Sequence, residues 1–150
     1  MNGVIIGISA ADAALISPAI LEKDIMPSHE DMVRAVERYV EAFDKGDAAM
    51  ASGLYADDAT VEDPIGTPIH QGRDAIHAFY TMSMQAGAKL RLDGPVRTGG
   101  DYAAFAFTVL VDFGGAKEIE VIDTFKFDAE GKVTEMRAFW GPANMRAVEA

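Results

Sequence analysis

YAAFAFTVLVDFGGAKEIEVIDTFKF, residues 102–127, reads as two strands joined by a tight turn. In its first half Phe105, Phe107, Val109, Val111 and Phe113 alternate with Ala104, Ala106, Thr108, Leu110 and Asp112. Gly114-Gly115 then supplies the turn, as glycine pairs between alternating runs do. In the second half Ile119, Val121, Phe125 and Phe127 share one face. Glu118, Glu120, Thr124 and Lys126 share the other, with Ile122 its only apolar member. A two-residue period sends one face to a core and the other to water. Asp123 breaks the pattern by falling in the middle of the apolar row. An unpaired charge there costs several kcal/mol, so the carboxyl must find donors or keep its proton. A carboxylic acid kept neutral can donate a strong hydrogen bond, which makes Asp123 the first candidate for chemistry.

Working outward, Asp128-Ala129-Glu130-Gly131 makes another turn and Lys132 to Trp140 a last strand. Lys89 to Val96 is a weaker strand, broken by Gly94-Pro95. The half before it is helical. Ser28 followed by Glu30-Asp31 predicts an N-cap, and Met32, Val36, Tyr39, Val40 and Phe43 form one apolar stripe. Gly46 closes that helix, and Asp47 caps a second one running to about Tyr55. Ala59 to Glu62 reads as a short extended piece ended by Asp63-Pro64, because a residue before proline is pushed out of helical geometry. Gly72-Arg73-Asp74 opens a third helix, with Ile76, Phe79, Tyr80 and Met84 facing inward. Three helices followed by an antiparallel meander predict an α+β domain. If the sheet is strongly curved, helices across its open side enclose an apolar pocket.

The chain's 150 residues suit one domain, expected over residues 26–150, with residues 1–25 as an N-terminal extension. That extension is rich in Ala and Ile but holds Asp12 and has no basic start, so it fits neither a secretory signal nor a membrane span. It is read either as a loose extension, with Met26 as an alternative beginning, or as a short element packing on the domain or a partner subunit. A formal net charge of −11 disfavours nucleic acid and anionic membranes as partners. The absence of cysteine excludes disulfides and thiolate metal sites, and fits a cytoplasmic location. His29, His70 and His77 lack metal-ligand spacing, no glycine-rich phosphate loop occurs, and no serine sits in a Gly-x-Ser-x-Gly elbow. Neither metal nor cofactor is expected.

Two further groups join Asp123. Tyr39 lies in the apolar stripe of the first helix, so its hydroxyl points inward and wants a partner. Asp63, at a strand-to-loop boundary before Pro64, is rigidly presented and could overhang a pocket mouth. Blander roles exist for both: Asp63 as a turn residue bonded to nearby backbone, Tyr39 as core. Trp140, Met82, Met84 and Met136 are expected to line the interior.

The segment Tyr55-Ala56-Asp57-Asp58-Ala59-Thr60-Val61-Glu62-Asp63-Pro64-Ile65-Gly66 resembles bacterial Δ5-3-ketosteroid isomerase. So do Gly72-Arg73 with Ala78-Phe79-Tyr80, Val121-Ile122-Asp123, and Met136-Arg137-Ala138-Phe139-Trp140. The likeness runs in order from about Arg34 to Met145. It implies the cone-shaped NTF2-like (cystatin-like) fold of the SnoaL-like proteins. By the same likeness Asp63 matches the catalytic base, Tyr39 the oxyanion-hole tyrosine and Asp123 the protonated acid beside it. Those roles are the family's known mechanism and do not follow from spacing. Tyr55 and Tyr80 match supporting hydrogen-bonding tyrosines, and Phe107, Met136 and Trp140 match residues lining the steroid pocket. The implied substrate is a small hydrophobic 3-ketosteroid, the implied assembly a homodimer through the outer sheet face, with no cofactor. The N-terminal extension departs from compact family members. Rival expectations are a related enzyme acting on another hydrophobic enone or a polyketide, and a non-catalytic binding module. An epoxide hydrolase of this fold would need an inward Arg between two acids, whereas the alternation turns Arg137 away from the pocket.

Overall fold

The computed structural model describes residues 27–148. The expected N-terminal extension, residues 1–25, lies outside them. Helix α1 (His29–Lys45) begins at a capping box, in which Ser28 Oγ accepts from the Asp31 N–H at 3.1 Å and Asp31 accepts from the Ser28 N–H at 3.2 Å. It ends at Gly46, whose φ of 63° suits glycine. The stripe of Met32, Val36, Tyr39 and Phe43 is buried.

Helix α2 (Ala48–Ser52) is shorter than its sequence predicts, because strand β1 (Tyr55–Glu62) already begins at Tyr55. The cause is non-local. Tyr55 pairs with Val133, and the Val133 N–H donates to the Leu54 carbonyl at 2.9 Å, drawing this backbone into the sheet. After β2 (His70–Gln71) comes α3 (Arg73–Gln85). Its Ile76 and Tyr80 are buried at i, i+4 spacing. Met82, expected inside, is 72% exposed, since two residues past Tyr80 is nearly the opposite face of a helix.

Strands β3 (Lys89–Leu92), β4 (Arg97–Gly99), β5 (Tyr102–Asp112), β6 (Ala116–Phe127), β7 (Val133–Phe139) and β8 (Met145–Ala147) follow. The sheet order is β2-β1-β7-β6-β5-β3, with β4 also on β5 and β8 also on β6. All pairs are antiparallel except β1 with β7. Each long hairpin strand is flanked by two short ones: β5 by β4 and β3, β6 by β7 and β8. A sheet whose edges are interrupted in this way, with register shifts in the β1–β7 and β6–β7 ladders, bends readily. The concave face carries Phe105, Phe107, Val121, Phe125 and Met136, and α1 and α3 cover it. Edge-to-face rings fill the narrow end, with Tyr39 and Phe125 centroids 5.3 Å apart and Phe105 and Phe125 5.1 Å apart. Among the described residues no helix is long and apolar enough to cross a membrane.

Candidate active site

Strand register brings the two aspartates onto one rung. Asp123 pairs with Ala138 on β7, and Glu62 pairs with Arg137, so Asp63 comes level with Ala138 from the other side. The Ile65 N–H donates to the Ala138 carbonyl at 2.9 Å and ties the Asp63-Pro64 corner to β7. Backbones two strands apart are separated by roughly 10 Å, and Ala138, fully buried, puts only a methyl between the two carboxyls. Arg137 alternates away from this face, is exposed and pairs with Glu135 at 3.2 Å.

A cavity of about 230 Å³ opens in front of the rung. Asp63, Tyr39, Tyr80, Phe107 and Trp140 line it. Asp123, Tyr55 and Met136 do not; they are buried in the core around it. Phe43, Leu90, Val109, Ile119 and Val121 complete much of the wall.

Asp123 is 1% exposed, and among the described residues neither of its carboxyl oxygens has a hydrogen-bond partner of ordinary geometry. Burial pushes its pKa well above the ordinary carboxylate value, and the Asp63 charge pushes it further; the neighbouring Tyr39 hydroxyl opposes them. Asp63 differs. Burial raises its pKa too, but the Trp140 indole N–H donates to Oδ1 at 2.8 Å and favours the ionised form. His70, directly opposite Val61 on β2 and packed against Phe79 with ring centroids 4.4 Å apart and planes tilted by 34°, acts in the same direction. Tyr39 is held far above the usual phenol range, chiefly by burial, so it stays a donor. Tyr55 and Tyr80 share a 2.5 Å hydrogen bond, and Tyr80 lowers the pKa of Tyr39.

Residues 36–136 match the SnoaL-like domain family. The chain belongs to that family. It is 45% identical over 113 residues to a protein named Steroid Delta-isomerase from Nocardioides simplex, spanning 74% of this chain and 90% of that one. Among solved structures it is similar to SalBIII, described as an epoxide hydrolase/cyclase-like enzyme in pyran ring formation in the polyether salinomycin. That likeness has a TM-score of 0.77 at 24% identity, over 82% of this chain and all of the other, and it establishes the shared NTF2-like fold.

Within this SnoaL-like frame the site can hold one carboxyl neutral and the other charged a short distance away, facing a largely apolar hollow. Sequence reasoning placed Trp140 only as an apolar wall, and its hydrogen bond to Asp63 was missed. The bond forms because β6 loses its β7 partner after Phe139: the chain turns aside through a 3₁₀ helix (Pro142–Asn144) and returns as β8, leaving Trp140 at the corner. His70 was weighed only as a metal ligand. The one available signal was its place two residues before Gly72, on the return from Asp63.

Proposed function

We propose that this protein is a steroid delta-isomerase, converting Δ5-3-ketosteroids to their Δ4 isomers. The observation that carries the reading is a fully buried carboxyl without a hydrogen-bond partner among the described residues, beside a buried phenol and on the same rung as a second carboxyl. Buried polar groups are rarely left unpaired without a function, and a carbonyl oxygen at the bottom of the cavity would satisfy this one. The relationship to a protein named Steroid Delta-isomerase gives the same direction.

The substrate ketone lies at the narrow end of the cavity. Ionised Asp63 takes a proton from the carbon between ketone and alkene. The freed electron pair moves onto the ketone oxygen as a dienolate, and Tyr39 and neutral Asp123 donate hydrogen bonds to that oxygen. Protonated Asp63 returns the same proton at the far end of the conjugated system, so atoms and charge balance without a co-reactant. Tyr80 and Tyr55 support Tyr39; Phe107 and Trp140 hold the rings, and Met136 backs the wall. An epoxide hydrolase would need a guanidinium between the acids, and Arg137 is turned outward. The convex face exposes Ile122 by 50% and its cross-strand partner Phe139 by 47%, which supports a homodimer through that face. Sedimentation at micromolar concentration checks the assembly.

Ultraviolet absorbance on mixing with androst-5-ene-3,17-dione tests the activity, because the conjugated enone product absorbs strongly. Wild type should generate the signal and Asp63→Asn should not. No signal from wild type, or equal rates from both, would sink the assignment and leave a binding module.

A further inference from the structure

We propose that Arg73 is a positioning residue of this site: its guanidinium fixes the backbone of Tyr55 so that the buried Tyr55 hydroxyl meets Tyr80, the phenol beside Tyr39. The effect on rate rests on the isomerase reading; the placement of the phenols does not.

Tyr55 sits where the sheet holds it least. It pairs with Val133, and the β1–β7 ladder resumes only at Thr60 with Glu135, so an advance of five residues on β1 answers two on β7. Extra residues on one strand leave backbone groups without ladder partners. The segment entering α3 takes these carbonyls over. The Gly72 N–H donates to the Ala59 carbonyl at 2.8 Å, Gln71 Nε2 to the Asp58 carbonyl at 3.0 Å, and Arg73 Nη2 to the Tyr55 carbonyl at 2.5 Å. Arg73 Nη1 also pairs with Asp57 at 3.0 Å.

The same helix holds the far end of the same side chain. Tyr80 is seven residues past Arg73, two turns or about 10 Å along α3. Its hydroxyl lies 2.5 Å from that of Tyr55. Burial holds the pKa of Tyr80 far above the usual phenol range; the Tyr55 hydroxyl lowers it and the bond to Tyr39 raises it. A donor lowers the pKa of the phenol it reaches, so the hydrogen bonds run from Tyr55 to Tyr80 and from Tyr80 to Tyr39. Tyr55 is fully buried and lines no part of the cavity, so its hydroxyl touches the site through Tyr80.

Stability alone is a poor reason for this arginine. A cation in the first turn of α3 opposes the helix dipole, and its Nε is buried with no hydrogen-bond partner among the described residues. What the guanidinium supplies is a rigid fork that reaches the Tyr55 carbonyl and Asp57 together, which the single ammonium of lysine does not reproduce.

The test compares wild type with Arg73→Met, Arg73→Lys, Tyr55→Phe and the Arg73→Met/Tyr55→Phe double variant, with urea unfolding to fix the folded fraction. Carbon-13 at tyrosine Cζ, read by NMR without steroid, reports the phenols, and the signal lost in Tyr55→Phe identifies Tyr55. Arg73→Met should shift that signal and leave the one from exposed Tyr102 in place. With androst-5-ene-3,17-dione, kcat per folded molecule should fall by about three- to tenfold at little change in KM, the scale of one hydrogen bond. Arg73→Lys should show both effects in smaller measure, and decides the matter if Arg73→Met does not fold. The double variant should be no slower than the slower single one, because both changes act through one hydroxyl. An unmoved Tyr55 signal, an unchanged kcat, or losses that multiply in the double variant overturns the proposal. Wild type without turnover removes the isomerase reading instead, and the Tyr55 signal alone then upholds or overturns the positioning role.

Discussion

Asp63 hangs from the end of β1, where the chain leaves the sheet, whereas Asp123 sits mid-strand in β6, laddered to Phe105 on one side and Ala138 on the other. The same side chain meets opposite chemistry in the two places. A strand end leaves room for a donor to swing in, and Trp140 does so. A mid-strand inward position is fenced by its neighbours' backbones and side chains, and among the described residues no hydrogen bond of ordinary geometry reaches either Asp123 oxygen. Position along a strand, more than residue type, sets which acid holds its proton. Each charge state reinforces the other, since ionised Asp63 raises the pKa of Asp123.

The harshest way to break the contrast is to remove the ionised member. Asp63→Asn should lower kcat on the order of 10³-fold or more, the scale of a lost general base, with steroid affinity nearly kept. Stopped-flow absorbance and fluorescence titration measure the two. If affinity collapsed along with kcat, Asp63 would be shaping the cavity rather than moving a proton.

Removing the neutral member should cost less in rate and change stability in a pH-dependent way. Asp123→Leu should lower kcat by about 10²–10³, as for one oxyanion donor. In the wild-type chain the unfolded carboxyl ionises near pH 3.9, while folded Asp123 keeps its proton to a much higher pH. Between those values the unfolded state binds fewer protons, so wild-type stability falls as pH rises, by at most about 1.4 kcal/mol per unit from this residue. Leucine removes that slope. Urea unfolding from pH 4 to 7 should show the variant gaining on wild type with each unit, and a constant difference would mean that Asp123 is ionised in the fold.

The two acids were unequally legible. Asp123 could be read from residues 102–127 because a strict two-residue period makes a single polar intruder visible, and the hairpin forms at Gly114-Gly115 as expected. The opposition of Asp63 to Asp123 could not. It depends on β1 pairing in parallel with β7, strands separated by α3 and the whole meander, and no local pattern encodes that register. The same pairing explains why Tyr55 starts a strand and does not end a helix. Strands of two or three residues, such as β2 and β8, carry too few side chains to show a period. Trp140 looked like one more apolar residue because its role depends on where the chain leaves β6.

That corner gives the mildest and most specific test. The Trp140 indole N–H lowers the pKa of Asp63 against the effect of burial through a bond of 2.8 Å, whereas at Asp123 the neighbouring Tyr39 hydroxyl leaves burial dominant. Trp140→Phe keeps an aromatic wall and deletes the hydrogen bond. A charge-assisted bond of about 1.5 kcal/mol corresponds to about one pH unit, so the acid limb of kcat/KM should move up by up to that amount. The sign is fixed: without the donor the carboxylate is less favoured, and Asp63 must reach a higher pH to act as a base. At pH values above both limbs the rate should change less than tenfold. A limb that stayed in place would show that the Asp63 end of the rung is set by His70 and solvent, and the donor-rich character assigned to that end would no longer separate it from Asp123.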